Sequence, residues 1–260
     1  MHLAERERVI LEQVEQSGFV TFKVLEKELN ASPATIRRDL ERLAEAGQII
    51  RIHGGAKSTR SATAELPPTA GLSGVPFHIN VTRHKAAKSA IGRAAAQLCS
   101  QGESVMIDGG STTLHMCPHL ESLNLQVLTN SLHIVSALMP QANTRLLVPS
   151  GQVFREQNII LSITDDEPLP NLHAPKLFMG AASIGSSGLM QEDSMLVAAE
   201  RKLIERCEQL IVLVDSSKFD EHSGHIVCRL NDIDILITDD AIRQKHRDML
   251  AAAGIRVIIA

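Results

Sequence analysis

LNASPATIRRDLERLAEAGQIIRIHGGA, residues 29–56, is the stretch on which the reading of this chain turns. Ser32-Pro33 pairs an N-cap hydroxyl with a proline at the first helical position, a combination that starts helices. Ile36, Leu40 and Leu43 follow at helical spacing and predict a buried stripe. Gly47 stands where that helix should end. Ile49, Ile50 and Ile52 are β-branched and Gly54-Gly55 marks a turn, which predicts a small β-wing over 48–56. Upstream, Leu3, Val9, Ile10 and Val14 predict an amphipathic helix over 3–16 that Gly18 stops. Thr21 caps a second helix running to about Leu29, with Glu26 and Glu28 outward, and Asn30-Ala31 is the turn.

Helix, helix, short turn, helix, wing is the order of a winged helix-turn-helix. Its third helix offers Ser32, Thr35, Arg37, Arg38 and Arg42 on the outside. Free N–H groups at a helix start suit phosphates, and arginines reach guanine edges or phosphates in the major groove of double-stranded DNA. Arg51 and His53 on the wing are placed to touch the backbone or an adjacent groove. The bland alternative is a solvated face whose arginines pair with Glu41 and Glu45. Residues 1–60 hold ten Lys and Arg against nine Asp and Glu, so the field is weak. Affinity then needs two half-sites, and the expected state is a homo-oligomer, a dimer or tetramer.

The 260 residues allow one large domain or two unequal ones. A formal net charge of −4 excludes a uniformly basic coat protein, and 2% aromatics argue against a base-stacking surface. Cys99, Cys117, Cys207 and Cys228 form no CxxC pair, so free thiols in a reducing cytoplasm are expected. MHLAERERVI has no apolar signal core, and no stretch is long enough to span a membrane, so the expected location is cytoplasmic. Residues 58–76, STRSATAELPPTAGLSGVP, read as a linker. The expected organisation is a DNA-binding domain over 1–57, the linker over 58–76, and an effector domain over 77–260.

That last region alternates apolar β-rich runs with helical patterns. The runs are Ser104–Ile107, Leu125–Leu128, Arg145–Val148, Lys176–Met179, Leu210–Val214, Ile233–Thr238 and Arg256–Ile259, with helices over 86–98, 113–120, 196–208 and 242–252. Such a pattern predicts an α/β fold with a mainly parallel sheet covered on both faces, its ligand at the carboxyl ends of the strands. There SVMID runs into Gly109-Gly110-Ser111-Thr112-Thr113, whose backbone and hydroxyls suit a phosphate. Neither GxxxxGK[ST] nor GxGxxG occurs, which argues against a nucleotide P-loop or a dinucleotide site. An ordinary tight turn is the competing reading. Thr129-Asn130, Ser150-Gly151 and Asp215-Ser216-Ser217-Lys218 sit at other strand ends, and Glu200 and Lys202 lie on a helix beside them. His115, Cys117 and His119 are close together, but Pro118 disturbs a shared face, and no metal or cofactor is expected.

The run S-x-x-T-x-R-R-D-L followed by R-x-H-G-G-A resembles the DNA-binding signature of the DeoR family of bacterial transcriptional regulators. The later segments R-x-x-x-x-K (83–88), I-D-G-G-S-T-T (107–113), T-N (129–130), A-E-R-K (199–202) and D-S-S-K-F (215–219) are similar to its effector domain, which resembles ribose-5-phosphate isomerase. The resemblance implies recognition by Ser32, Thr35, Arg37 and Arg38, with contacts from Arg51–Gly55. It also implies a phosphorylated sugar on the Gly109–Thr113 loop, contacted or supported by Asp108, Asn130, Glu200, Lys202 and Lys218. Ser150-Gly151 replaces the usual Gly-Gly, and residues 155–175 depart from the family pattern. The expected function is a repressor of a carbohydrate operon. The competing one is a sugar-phosphate isomerase or deaminase with a DNA-binding arm, although no second acid is paired in sequence with Glu200 or Asp108.

Overall fold

The computed structural model describes residues 3–17, 19–29, 31–52, 55–58, 75, 77–161, 172–221 and 223–260. The chain divides into two compact units, Met1–Ala70 and Gly71–Ala260.

The first unit runs α1 (Leu3–Ser17), β1 (Phe19–Thr21), α2 (Phe22–Leu29), α3 (Pro33–Glu45), β2 (Ile49–Ile52) and β3 (Gly55–Ser58). The predicted helix start is present: the Ser32 hydroxyl accepts the Thr35 N–H at 3.2 Å. Gly47 closes α3 with φ +66°, a conformation open to glycine because it has no Cβ. The wing is larger than expected, because β3 pairs antiparallel with both β2 and β1. Three residues between two helices carry no readable period, so β1 left no mark in the sequence. Ile10, Val14, Leu25, Leu29, Ile36, Leu40, Leu43 and Ile49 form one buried cluster. Asp39 shares the inner face of α3 and is 1% exposed. Arg6 of α1 reaches it with two nitrogens, at 2.7 and 3.2 Å, so a buried charge is paired and two helices are tied together. Gly18, Asn30 and His53 lie outside the described residues.

The second unit opens with α4 (Phe77–Asn80), α5 (Lys85–Ala96), β4 (Ser104–Ile107), α6 (Ser111–Leu114), β5 (Gln126–Leu128), α7 (Leu132–Leu138) and β6 (Arg145–Leu147). It continues with β7 (Gln152–Phe154), β8 (Ile159–Leu161), β9 (Ala174–Met179), β10 (Ser183–Gly185), β11 (Gly188–Gln191) and α8 (Ser194–Ile204). Last come β12 (Cys207–Leu213), β13 (His225–Cys228), β14 (Ile235–Thr238), α9 (Gln244–Ala252) and β15 (Arg256–Ile259). The seven apolar runs become one parallel sheet in the order β15-β14-β12-β9-β4-β5-β6. Side chains alternate across it. Val105, Ile107, Val127 and Phe178 pack with Ile91 and Ala95 of α5 and Ile134 of α7. Met106, Leu128, Leu177 and Met179 pack on the opposite face with Val197 of α8 and Leu250 of α9.

Four features differ from expectation. The helix predicted over 113–120 stops at Leu114, and a 3-10 turn follows at Cys117–His119, so His115 and His119 share no α-helical face. Helix α7 was not anticipated. Nor were the hairpin β7–β8 and the antiparallel sheet β10-β11-β13, whose strands are only three or four residues long.

Helix α5 crosses the segment after α6 at Gly92. A Cβ there would stand 2.4 Å from the His115 carbonyl carbon and 2.5 Å from its oxygen. Gly→Ala inside a helix normally gains about 1 kcal/mol, whereas overpacking against backbone costs about 1–3 kcal/mol. Gly92→Ala is therefore expected to lower the denaturant midpoint of the second unit, measured by circular dichroism. A raised midpoint would contradict this packing.

Candidate functional site

The chain adds β5 and β6 on one side of β4 and places β9, β12, β14 and β15 on the other. At the β4/β9 boundary the loops leaving two neighbouring parallel strands diverge and leave a crevice. A cavity of about 90 Å³ lies there, with Gly109–Thr112 on one wall and Gly180–Ala182 on the other. Gln191, Leu196, Glu200, Lys218 and Glu221 complete much of its lining. A second cavity of about 300 Å³ shares Asn80, Lys218 and Glu221 with it and adds Arg83, His84, Asp215 and Ser217.

Of the residues expected from sequence, Gly109, Gly110, Ser111, Thr112, Glu200 and Lys218 line the first cavity. Asp108 and Asn130 lie buried beneath it. Asn130 fastens two strand ends: its Oδ1 accepts the Gly109 N–H at 2.9 Å, and its Nδ2 donates to Asp108 Oδ1 at 3.0 Å. Four more expected residues are likewise outside the lining. The Thr113 hydroxyl, fully buried, donates to the carbonyls of Asp108 and Gly110 at 2.8 and 2.9 Å, so it braces the loop. Thr129 Oγ1 accepts the Ser131 N–H at 3.1 Å. Gly151 is exposed between β6 and β7. Lys202 follows Glu200 by two helical positions, about 200° around the axis, and so leaves the cavity side.

Sequence reasoning placed Lys88 in a motif without giving it a role. It is 1% exposed. Its ammonium donates to the Asn80 carbonyl at 2.6 Å and to Ser111 Oγ at 3.0 Å. Burial lowers its pKa to about 8, against the opposing pull of Asp215. The motif spacing was the one available signal, since burial of a lysine on a helix is invisible in one sequence. Lys218 is paired with Glu221 at 2.7 Å. Asp215 is 2% exposed, and its Oδ1 accepts from Ser217 at 2.5 Å.

The structure supplies the paired acid that the sequence did not show. Glu200, 2% exposed, lies close enough to Asp108 for their charges to repel, and its Oε1 accepts from Gln191 Nε2 at 2.5 Å. Two buried carboxyls this close favour the state in which one of them keeps its proton. Burial raises the Asp108 pKa to about 6. Burial, then repulsion from Asp108, holds Glu200 well above the ordinary carboxyl value.

On the first unit, Thr35 is half-buried and its hydroxyl is 2.8 Å from that of Ser32. Arg37 and Arg38 are exposed, and neither forms an ion pair among the described residues. Arg37 lies 5.5 Å from the centre of the Phe22 ring. Arg42 is drawn to Glu7 at 3.5 Å and Asp39 at 3.8 Å, and Arg51 to Glu41 at 3.0 Å. Arg42 is thus paired, though with Glu7 and Asp39 and not with Glu41 or Glu45, while Glu41 takes Arg51 of the wing.

Residues 6–62 match the DeoR-like helix-turn-helix domain and residues 83–240 the DeoR C-terminal sensor domain. The chain belongs to the DeoR family. It is a DNA-binding transcriptional regulator. Among curated relatives, the HTH-type transcriptional regulator UlaR of Shigella dysenteriae serotype 1 (strain Sd197) is 31% identical over 98% of each chain. UlaR of Escherichia coli O1:K1 / APEC has the same identity and coverage. Ribose 5-phosphate isomerase A of Methanocaldococcus jannaschii aligns at TM-score 0.39 and 17% identity, over 52% of this chain and 54% of that one. The eIF2B delta of Chaetomium thermophilum aligns at TM-score 0.39 and 16% identity, over 55% and 52%. No helix among the described residues of this DeoR-family chain is long and apolar enough to cross a membrane.

The acid pair has a stability consequence with a defined sign. Both carboxyls titrate above their unfolded values, so their contribution is fully present below about pH 4 and is lost as pH rises through about 6 and beyond. Glu200→Gln keeps the shape, still accepts from Gln191 and removes the charge that repels ionised Asp108. Its melting temperature is expected to exceed that of the wild type at about pH 8, with the gap closing toward about pH 5. A gap that widens on acidification would rule out the raised carboxyl pKa values.

Proposed function

We propose that this regulator represses a carbohydrate-utilisation operon and that a phosphorylated sugar in the switch-point cavity sets its operator affinity. The observation that carries the reading is the lining itself. Backbone of Gly109 and Gly110, the hydroxyls of Ser111 and Thr112, and Lys218 meet there, with the Lys88 ammonium behind Ser111. That set suits a dianion and serves a neutral sugar poorly. Glu200 and Gln191 offer both a donor and an acceptor to sugar hydroxyls. Asp108 and Asn130 support the loop, and the roles of Thr113, Thr129, Gly151 and Lys202 are likewise structural or peripheral. DNA contacts centre on Arg37 and Arg38, with Ser32 and Thr35 at the helix start, and with Arg42, Arg51 and His53 at the margins. The weak field of the first unit favours a dimer or tetramer on paired half-sites, acting in the bacterial cytoplasm where the operator is.

One observation favours a second reading. Two buried, neighbouring carboxyls with raised pKa values beside a cavity are a reasonable acid-base pair, so residual isomerisation of a sugar phosphate is the competing activity. A turnover assay separates the two readings, because a pure sensor leaves the sugar unchanged.

For the DNA face, Arg38→Ala is expected to weaken operator binding by about 1–3 kcal/mol and to relax specificity at one position. Arg42→Ala, whose partner carboxylates already hold it, should cost less. Equal losses in a gel-shift titration would argue against this ranking.

For the sensor, the panel is ribose 5-phosphate, glucose 6-phosphate, 6-phosphogluconate and their unphosphorylated parents. A phosphorylated member is expected to raise the melting temperature, by about 2.7 kcal/mol of stability at a hundredfold excess over Kd, while its parent does nothing. Ser111→Ala combined with Thr112→Ala should abolish that shift and spare operator binding. Binding should also weaken as pH rises past about 8, where Lys88 loses its proton. A preference for the parent sugar would overturn the reading.

A further inference from the structure

The matched sensor segment begins at residue 83, yet one wall of the cavity lies before it. Val75, Phe77 and Asn80 line that wall. Each is tied to the body of the second unit. The Val75 N–H donates to Glu192 Oε2 at 3.2 Å, and its carbonyl accepts from Gln157 Nε2 at 3.2 Å. Phe77 is 7% exposed and stacks on His133, with ring centres 4.0 Å apart and planes 14° from parallel. His133 is fixed in turn by Asn158 at 3.0 Å. Asn80 accepts from Lys88, whose ammonium also reaches Ser111 in the loop across the cavity.

The clamps on Val75 have a further property. Glu192 and Gln157 themselves line the cavity. A ligand hydroxyl that takes up either group competes with the Val75 backbone for it. A ligand that packs against Phe77 favours the placed strap instead. In both cases occupancy and strap placement are parts of one equilibrium. In sequence Val75 follows the end of the first unit, Ala70, by five positions.

We infer that Val75, Phe77 and Asn80 form a strap that belongs to the effector site and carries its occupancy to the DNA-binding unit. The inference rests on the sugar-phosphate reading above and goes beyond it by naming the readout element. By linkage, operator DNA must then change effector affinity by the same factor as effector changes operator affinity, within a range of about five- to 150-fold.

The chain contains no Trp and no Tyr, so one introduced tryptophan is a clean reporter. Ile79 sits in the strap segment, is 43% exposed and is not part of the lining; Val148, 45% exposed at the end of β6, serves as control. The probe is the panel sugar phosphate that most stabilises the full-length wild type. The expected result is a saturable emission change in Ile79→Trp, with a midpoint matching the melting titration, and none in Val148→Trp. Phe77→Ala should reduce the effector-induced change in operator affinity by at least about fivefold, and Phe77→Tyr, which keeps the ring stack, should restore it. If the probe stabilises the wild type but Ile79→Trp stays silent and Phe77→Ala responds normally, the strap inference falls and the sugar-phosphate reading stands. If no panel member stabilises the wild type, that reading falls and takes the inference with it.

Discussion

Parallel pairing governs the second unit. Seven strands running in one direction bring seven carboxyl ends to one edge, and the order β6-β5-β4-β9-β12-β14-β15 makes neighbouring loops part company between β4 and β9. The gap needs no special side chain to exist. It does need its walls held, because the loop after β4 has polar backbone in a partly dry place. Asn130 supplies the fastening by bonding the Gly109 N–H and the Asp108 carboxyl at once, so the end of β5 fixes the end of β4. Thr113 closes the same loop from the other side through two carbonyls. The glycines and hydroxyls facing the cavity are therefore presented by a braced frame.

Around this frame the charges separate into two groups. Lys88 feels Asp215, Lys218, Arg83 and Glu221, a cluster with one excess positive charge when all are ionised. Asp108 and Glu200 answer to each other, to Asn130 and to Gln191. Burial acts on both groups in the direction that removes charge, lowering the lysine pKa and raising those of the acids. A site with a protonatable carboxyl pair and a buried ammonium holds groups whose charge can change near neutral pH. That property is useful to a sensor, and it is also the raw material of acid-base chemistry on the same fold.

The first unit follows a different economy. Its core is small, and α1 and α3 are held together by apolar contacts plus the buried Arg6–Asp39 pair. With Asp39 turned inward, the acid of the Arg-Arg-Asp run no longer screens the outer face of α3. Arg37 and Arg38 are left toward solvent, while Glu7 and Glu41 draw off Arg42 and Arg51. Exposed ion pairs of this kind are worth about 0–1 kcal/mol, so they rank the arginines without disabling any.

The periodicity of the sequence determined the helices of the first unit, the cap at Ser32, the close at Gly47 and all seven strands of the parallel sheet. These depend on near neighbours, and near neighbours are what a sequence displays. The loop Gly109–Thr112 and Lys218 were legible as cavity residues for the same reason, since parallel strands must deliver their ends to one edge. The tertiary structure alone decided the rest. It joined Asp108 to Glu200 across 92 positions, buried Lys88 behind Ser111, turned Lys202 and Thr113 away from the cavity, and brought Val75, Phe77 and Asn80 into its wall. Short strands such as β7, β8 and β10 have too few residues to show a period, yet they position Gln157, Ile159 and the Gly180 wall. Whether a polar side chain is a ligand contact, a brace or a buried partner depends on which distant groups desolvate it, and no local pattern records that distance.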